Sequence, residues 1–418
     1  MTTRRKFLVL AGGAAAALAG GCTRPAPARP ATAGDAVPDV VLADTEEGLA
    51  VLGGPRPGRP GTASAASADG RVVYAVTAGS ELMRLDPAAG VTTRSATLGG
   101  GWLPRVVAAG GGACALSRTA AAPRPAARAR TPLLVLTGGR QREYDLPGVV
   151  EPDAFTSDGA GLFVLEWTPA AAPERYRVRL LDLGGGTVGP LLTRDKTAVP
   201  PGAEETMSGE GRQQVASPDG QVLYTLYTHQ PGHRHTRDLL SGRPGNAHAF
   251  VHVLHLTQRW AYCLDLPHPF GEGPAAGHAI AASADGREIA VLDTTSGSLA
   301  WAGTEALAIS GVVRAPVATG GDGVAAADGG KGAAEASVAY LPDGGRVLVG
   351  AGRTVSSLDH TGTVTARWEM PGGVRGLAVK GSRVYVGGEG EMRWLDAGTG
   401  AVQGRAKVDG LVTVRSVR

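Results

Sequence analysis

One pattern of strands and turns recurs along the chain and constrains its fold more than any other feature. In its clearest copy, residues 62–98, the turn Ser-Ala-Asp-Gly at 67–70 separates a strand of small residues from a strand at 71–77. Asp can hydrogen-bond its own backbone in such a turn, and Gly can adopt a positive φ. The strand at 71–77 is apolar on both faces, as expected of a strand that lies between neighbouring sheets. Residues 62–98 therefore predict one four-stranded antiparallel sheet.

Six further copies of this pattern follow. Asp-Gly turns recur at 156–159, 217–220, 283–286 and 341–344. The last copy, 376–408, lacks this turn. Its segment Leu-Asp-Ala-Gly-Thr-Gly at 395–400 follows the same Leu-Asp-x-x-x-Gly pattern as residues 85–90 of the first copy. Units of this length and number predict an all-β fold, a β-propeller of four-stranded blades. Because no long stretch has an apolar period of 3.6 residues, we expect little helix after the N-terminal leader.

The turn and the strand after it also resemble those of a known repeat family. The sequence Ser-Pro-Asp-Gly-Gln-Val-Leu-Tyr at 217–224, with the Leu-Asp-x-x-x-Gly pattern of other copies, is similar to the YVTN family of β-propeller repeats. A looser likeness extends to TolB-type and lactonase-type propellers. The resemblance covers nearly all of the chain after the leader, and it implies the propeller fold. Its motifs are turn and strand signals, so it implies no catalytic residue.

The two ends of the chain carry strands that no copy of the repeat uses. Residues 39–53 predict a hairpin, and residues 411–417 alternate like a first strand. Joining these segments gives a further blade, covers exposed sheet edges and brings the termini together. We therefore predict eight blades, with the eighth split between the termini. The alternative is seven blades, with the hairpin capping an existing one.

The N-terminal segment resembles a bacterial export leader. Arg4 and Arg5, followed by Phe-Leu and an apolar run, resemble the twin-arginine export signal, and Ala-Gly-Gly-Cys at 19–22 resembles a lipobox. The alternative is a transmembrane anchor, but the apolar run at 7–21 is shorter than the roughly 20 residues that a span needs. We therefore predict that Cys22 becomes the acylated N-terminus.

This leader defines the predicted domain organisation and location. We expect a signal peptide at 1–21, a Pro/Ala tether at 22–38, which cannot bury a core, and the β-propeller at 39–418. The predicted location is extracytoplasmic, with the protein anchored to the bacterial cell membrane through the lipid on Cys22.

The charge balance argues against nucleic acid as a partner. The chain has 41 basic and 38 acidic residues, and three of the basic ones lie in the leader, which leaves 38 of each sign in the mature chain. A phosphate-binding surface needs a clustered excess of Lys and Arg, and the mature sequence has no long basic run. We therefore predict no nucleic-acid partner, and we expect a monomer.

Histidines are concentrated in one part of the sequence, with eight of the nine between positions 229 and 278. His233 and His235 alternate within an insertion of the fourth unit, so they could share a face and meet a third ligand such as His248 or Asp238. Three imidazoles suffice for zinc or copper. The alternative is a polar surface loop with histidines hydrogen-bonded at a blade edge. The candidate divalent-metal site is therefore His233, His235 and His248, in a chain for which we otherwise predict no cofactor.

The acidic residues of the repeated turns offer a second possible cation site. Convergent carboxylates could bind a divalent cation in a propeller channel, as in lactonase-like relatives, but an Asp before Gly in a blade turn is normally a backbone cap. We therefore expect five caps: Asp69, Asp158, Asp219, Asp285 and Asp343. Cys114 and Cys263 lie in units that are not adjacent, so we expect no disulfide between them.

Two classes of function follow from this sequence. The first is a membrane-tethered binding or scaffold module for a protein, peptide or glycan, because propellers present loops from every blade at one mouth. The alternative is a metal-assisted hydrolase or lactonase-like enzyme at the central channel, with the His-rich segment or inner carboxylates as ligands. We predict no catalytic residue, and the first class is favoured.

Overall fold

The repeat units fold into successive antiparallel sheets arranged as a β-propeller. The structure is a computed structural model that describes residues 35–245, 247–317 and 335–418. It confirms the predicted all-β propeller and the predicted number of eight blades. The export signal with Arg4 and Arg5, the lipid attachment site Cys22 and most of the tether lie outside the described residues.

Seven blades are each formed by four strands that are consecutive in the chain, and a short hairpin precedes them. The hairpin consists of β1 (Val41–Thr45) and β2 (Gly48–Leu52). Blade 1 contains β3 (Ala63–Ala66), β4 (Val73–Val76), β5 (Glu81–Asp86) and β6 (Val91–Thr97). Blade 2 contains β7 (Leu103–Val107), β8 (Ala113–Ser117), β9 (Arg130–Thr137) and β10 (Arg140–Pro147). Blade 3 contains β11 (Val149–Phe155), β12 (Gly161–Thr168), β13 (Arg175–Asp182) and β14 (Val188–Gly189).

The remaining complete blades follow the same order. Blade 4 contains β15 (Gln213–Ala216), β16 (Val222–Tyr227), β17 (Phe250–His255) and β18 (Trp260–Asp265). Blade 5 contains β19 (His278–Ala282), β20 (Glu288–Asp293), β21 (Ser298–Gly303) and β22 (Ala308–Arg314). Blade 6 contains β23 (Ser337–Tyr340), β24 (Arg346–Ala351), β25 (Thr354–Asp359) and β26 (Val364–Glu369). Blade 7 contains β27 (Leu377–Lys380), β28 (Arg383–Gly387), β29 (Glu391–Asp396) and β30 (Val402–Lys407), and β31 (Leu411–Val417) ends the chain.

The C-terminal strand closes the ring, as predicted. β31 pairs antiparallel with β1, and β1 pairs with β2, so blade 8 combines both ends of the propeller in a three-stranded sheet. In place of a fourth strand, Gly58 forms one antiparallel bridge with Val51. The hairpin therefore belongs to a blade of its own, and the alternative of seven blades is wrong.

An apolar cluster fills each space between neighbouring blades. Eight such clusters each join two neighbouring blades around the ring. Two of them complete the ring by linking blade 7 to blade 8 and blade 8 to blade 1. Neighbouring residues of one strand serve different clusters, since Tyr74 of β4 packs towards blade 2 and Val73 towards blade 8. The strands are apolar on both faces because each face packs against another blade.

The repeated Asp-Gly turns are backbone caps, as predicted. In each of them the Asp Oδ1 accepts a hydrogen bond from the backbone N–H two residues later, at 3.0–3.1 Å. The Gly that follows has a φ between 68° and 73°, a region that L side chains seldom adopt. The capping residues are Asp69, Asp158, Asp219, Asp285 and Asp343. Among the described residues these carboxylates form no shared cation site.

Helical structure in the described ranges is limited to one short helix, α1 (Thr236–Ser241), and a 3₁₀ turn at Ala275–Gly277. None of the helices in these ranges is long and apolar enough to span a membrane. α1 lies in the insertion between β16 and β17, where the sequence concentrates its histidines. Among the described connections between second and third strands, this one contains a helix.

Candidate functional site

Two long connections meet at one end of blade 4. The first, residues 190–212, runs from β14 of blade 3 to β15, and the second, residues 228–249, runs from β16 to β17 and contains α1. Because antiparallel strands alternate in direction, the connection that enters a blade lies at the same end as the connection between its second and third strands. Loops held by a rigid scaffold are common places for binding sites.

The second connection carries His233 and His235 side by side. His233 forms an antiparallel bridge with Ala247, so the chain is extended here and side chains two residues apart point the same way. The two imidazole centroids lie 4.7 Å apart. Both rings pack against Phe250 of β17, with centroid distances of 4.4 and 4.9 Å, and both residues are buried. The structure therefore brings these two predicted site residues together.

Glu205, in the first connection, contacts both imidazoles. Its Oε2 lies 3.3 Å from Nε2 of His233 and 3.3 Å from Nδ1 of His235. Its Oε1 accepts a hydrogen bond of 2.7 Å from the backbone N–H of Thr236. One nitrogen of each imidazole and one oxygen of Glu205 all lie within 4.8 Å of one another, a spacing that could hold a metal ion.

Strand β18 adds two further groups, Cys263 and Asp265. They are two residues apart in a strand, so their side chains point to the same face. The Cys263 thiol donates a hydrogen bond to Oε2 of Glu205, with a sulfur-to-oxygen distance of 3.0 Å. Asp265 accepts a hydrogen bond from Nε2 of His235 and pairs through its other oxygen with Arg237. His235 is thus held between two carboxylates.

Burial and these contacts shift the pKa values of the group. Burial by itself raises the pKa of Glu205, but the hydrogen bonds from His233 and His235 outweigh it and hold that pKa well below its usual range. Burial lowers the pKa of His235, yet Asp265 and Glu205 overcome this and raise that pKa to about 9. Burial, together with the Glu205 carboxylate, raises the pKa of the Cys263 thiol well above its usual range. The pKa values of Glu205, His235 and Cys263 therefore all depart from their usual ranges, as pKa values often do at functional sites.

Glu205, His235 and Cys263 line a cavity of about 680 Å³. Its apolar wall is built by both connections and by strands of blades 3 and 4: Val178, Leu191, Val199, Met207, Leu240 and Tyr262. His252 also faces the cavity, and burial lowers its pKa to about 4, so its ring is neutral at pH 7. The cavity therefore combines an apolar wall with a polar end.

His248, the third predicted ligand, lies outside this group and is exposed. Ala247 is the residue that pairs with His233, so the side chain of the next residue points the other way. Asp238, the other third ligand considered, accepts a hydrogen bond of 3.1 Å from the backbone N–H of His235 at the start of α1. The side chain that lies beside both His233 and His235 is Glu205.

Sequence reasoning missed Glu205, because residues 190–212 carry neither the repeat pattern nor an apolar period. Its contacts with the histidines span 28 and 30 positions of the chain and depend on how the two connections fold together. The sequence of β18 contains a pattern that could have indicated further residues of this site. Cys263 and Asp265 alternate there, and this spacing puts a thiol and a carboxylate on one face.

Comparison with known proteins supports the fold. No protein-family model matches the chain, and neither does any curated protein. The structure of apo AztD from Citrobacter koseri is similar with a TM-score of 0.52 and 10% sequence identity, over 91% of this chain and 97% of that one. At this identity the likeness shows the fold alone. The class that fold and comparison define is an eight-bladed β-propeller.

Two other solved structures are similar over most of their length. The periplasmic gluconolactonase PpgL of Pseudomonas aeruginosa has a TM-score of 0.41 and 17% identity, over 90% of this chain and 98% of that one. The dihydro-heme d1 dehydrogenase NirN, in complex with DHE, has a TM-score of 0.49 and 12% identity, over 92% and 76%. These scores carry no functional argument, and the resemblance to the YVTN and TolB repeats stays a prediction.

Proposed function

We propose that the protein is a membrane-tethered, extracytoplasmic binding module whose ligand occupies the cavity beside blade 4. The observation that carries this proposal is the cavity itself, about 680 Å³ in volume, with an apolar wall and an end formed by Glu205, His235 and Cys263. Ligand sites are typically concave spaces of about 300–1,000 Å³ with mostly apolar walls and a few convergent polar groups. The favoured ligand is therefore a small molecule or ion, or a side chain that a docked peptide or protein inserts.

The location rests on the leader. Arg4, Arg5 and the sequence around Cys22 support export and attachment of a lipid, and the Pro/Ala segment after Cys22 supports a flexible tether. A single acyl chain holds a protein to a membrane only weakly, whereas two or more hold it stably. A lipid-bearing Cys22 would keep the binding cavity close to the outer face of the membrane.

An environment-sensitive dye tests the cavity. We expect anilinonaphthalene sulfonate, an anion with an apolar ring system, to bind the purified protein and fluoresce. Ala261→Trp adds a large side chain at a residue that lines the cavity, so it should weaken dye binding about tenfold or more by excluding the dye. Val402→Trp is the matched control, since Val402 is an exposed apolar residue of blade 7.

Thermal unfolding of both variants establishes that they are folded before dye is added. Dye binding that is lost in Ala261→Trp and kept in Val402→Trp supports the cavity as a ligand site. If the wild-type protein binds no dye, or if a folded Ala261→Trp protein binds it as tightly as the wild type, the proposed function is wrong.

A further inference from the structure

We propose that four side chains at the polar end of this cavity bind one zinc ion: Glu205, His233, His235 and Cys263. The inference deepens the proposed function, on which it rests, because it names the ion as a ligand of the same cavity. Glu205 comes from the connection between blades 3 and 4, the histidines from the insertion of blade 4, and Cys263 from β18. The site therefore joins three separate segments of the chain.

The first argument is that three donors converge on one oxygen atom. Nitrogens of His233 and His235 and the sulfur of Cys263 all lie within 3.3 Å of Oε2 of Glu205. A carboxylate oxygen has two lone-pair directions, so three donors exceed what it can accept with good geometry. The atoms of Glu205, His233 and His235 lie within 4.8 Å of one another, so a cation placed among them would satisfy these three at once, with the Cys263 sulfur next to Oε2 as the fourth group.

The second argument comes from the distances. Charge-assisted hydrogen bonds between nitrogen and a carboxylate oxygen are about 2.7–2.9 Å long. The separations from Oε2 of Glu205 to the two imidazole nitrogens are 3.3 Å. Ligand atoms bound about 2.0–2.2 Å from a tetrahedral zinc ion lie roughly 3.3–3.6 Å from one another. The two separations are therefore those of neighbouring ligands around an ion.

The third argument is that outer groups already orient these side chains. Nε2 of His235 donates to Asp265, which leaves Nδ1 directed at Glu205, and Asp265 is in turn held by Arg237. Carboxylate–histidine pairs of this kind orient imidazole ligands in many metal sites. The backbone N–H of Thr236 fixes the other oxygen of Glu205. Two of the ligands thus have fixed orientations towards the same point.

The choice of zinc follows from the types of ligand and their charge. Imidazole nitrogen and thiolate sulfur suit zinc, whereas calcium and magnesium prefer sites made of oxygen ligands. Zinc binding displaces to solvent the Cys263 thiol proton and the proton that His235 carries on Nδ1 in the metal-free protein. The resulting thiolate, the Glu205 carboxylate and two neutral imidazoles sum to a charge of minus two. A zinc ion balances this charge, so the buried complex is neutral overall and avoids the cost of burying net charge.

Cys263 determines what the bound ion can do. Catalytic zinc sites keep one coordination position open for water or substrate, while sites with four protein ligands are closed. With Cys263 as the fourth ligand the site holds the ion without an open position, which favours binding of zinc over the metal-assisted hydrolase alternative. The cavity gives the ion a route to Glu205, His235 and Cys263, all of which line it.

A zinc titration against a competing chromophoric chelator tests the site in the purified protein, kept under reducing conditions. We expect one zinc ion per protein, with calcium and magnesium failing to compete. His233→Ala and His235→Ala should each weaken zinc binding by about 100-fold or more, since each removes a ligand. His248→Ala is the matched control, because this exposed histidine of the same insertion lies outside the group and its loss should leave the affinity unchanged.

Glu205→Gln provides a second variant that keeps the shape of the side chain and removes its charge, so it remains informative if an alanine variant fails to fold. It too should weaken zinc binding by about tenfold or more. The proposal is overturned if the wild type binds no zinc, if folded His233→Ala and His235→Ala proteins bind it as the wild type does, or if His248→Ala abolishes binding. The dye assay separates the two proposals, because dye binding without zinc binding overturns only the zinc site.

Discussion

The backbone N–H of Thr236 donates a hydrogen bond of 2.7 Å to Oε1 of Glu205. This contact joins the connection that enters blade 4 to the first residue of α1, and it leaves Oε2 of Glu205 as the oxygen that faces His233 and His235. The orientation of the carboxylate therefore depends on one main-chain donor. That dependence can be tested without changing any of the four zinc ligands.

Thr236→Pro removes this donor and little else. Proline is well accepted at the first position of a helix, and it favours an extended residue before it. His235 already has φ −74° and ψ 163°, so the substitution fits the backbone. We expect zinc binding to weaken about tenfold, because a partner that orients a ligand is lost. In a chelator competition, Thr236→Ala, which keeps the N–H, should behave as the wild type, and equal affinities for the two variants would contradict the orienting role.

The ring closure predicts where the C-terminal strand is sensitive. Leu411 is buried against both blade 7 and blade 8, whereas its neighbour Val412 is only partly buried. Leu411→Ala should lower the free energy of unfolding by about 2–5 kcal/mol, and Val412→Ala by less than about 1 kcal/mol. Urea unfolding measures both. Equal effects of the two substitutions would show that β31 does not close the ring through its buried face.

Asp39 predicts an acid-sensitive contact next to this closure. Burial raises the pKa of Asp39, but hydrogen bonds from Lys380 and Tyr385 outweigh it, and the pKa lies below its model-peptide value of 3.8. The stabilising contribution is therefore present above about pH 4 and is lost as the pH falls through the folded-state pKa. Because Lys380 is half exposed, we expect only about 1 kcal/mol at pH 7.

The comparison of Asp39→Asn with the wild type measures this contribution. The difference between their free energies of unfolding should shrink as the pH is lowered from 6 to 3. Asp409→Asn is the control, since Asp409 is an exposed residue paired with Lys407. A difference for Asp39→Asn that stays constant across this range would rule out the charged contact as its cause.

The proposed attachment to the membrane makes a prediction about Cys22. Cys22→Ala should release the protein from the membrane fraction or leave an unprocessed precursor, because this side chain is the one that the lipid would modify. Fractionation followed by mass spectrometry of the N-terminus distinguishes these forms. Normal processing together with membrane retention in the variant would contradict the lipid anchor.

The fold was predictable because its signals are local. The Asp-Gly turns, the strands apolar on two faces and the unpaired strands at the two ends can each be recognised within about 20 residues. The missing fourth strand of blade 8 was harder to predict, since the bridge between Val51 and Gly58 takes its place in an irregular segment. Helix α1 was also unpredicted, because six residues are too few to show a period.

The candidate site was only half predictable, for a related reason. The alternation of His233 and His235 is a local signal, and their imidazole rings do lie side by side in the structure. His248, the third predicted ligand, follows Ala247, which pairs with His233, so its side chain points away from the two histidines. The position of Glu205 depends on the meeting of two connections, and no local pattern of residues encodes that contact.

Cobalt substitution tests the zinc centre most directly. Cobalt(II) replaces zinc in such sites, and its absorption spectrum reports both coordination geometry and sulfur ligation. We predict intense visible bands typical of a tetrahedral ion and a thiolate-to-cobalt charge-transfer band in the near ultraviolet. Cys263→Ser should remove the charge-transfer band and keep cobalt bound, whereas His248→Ala should change neither feature. A weak octahedral spectrum in the wild type, or a charge-transfer band that survives Cys263→Ser, would contradict the centre formed by Glu205, His233, His235 and Cys263.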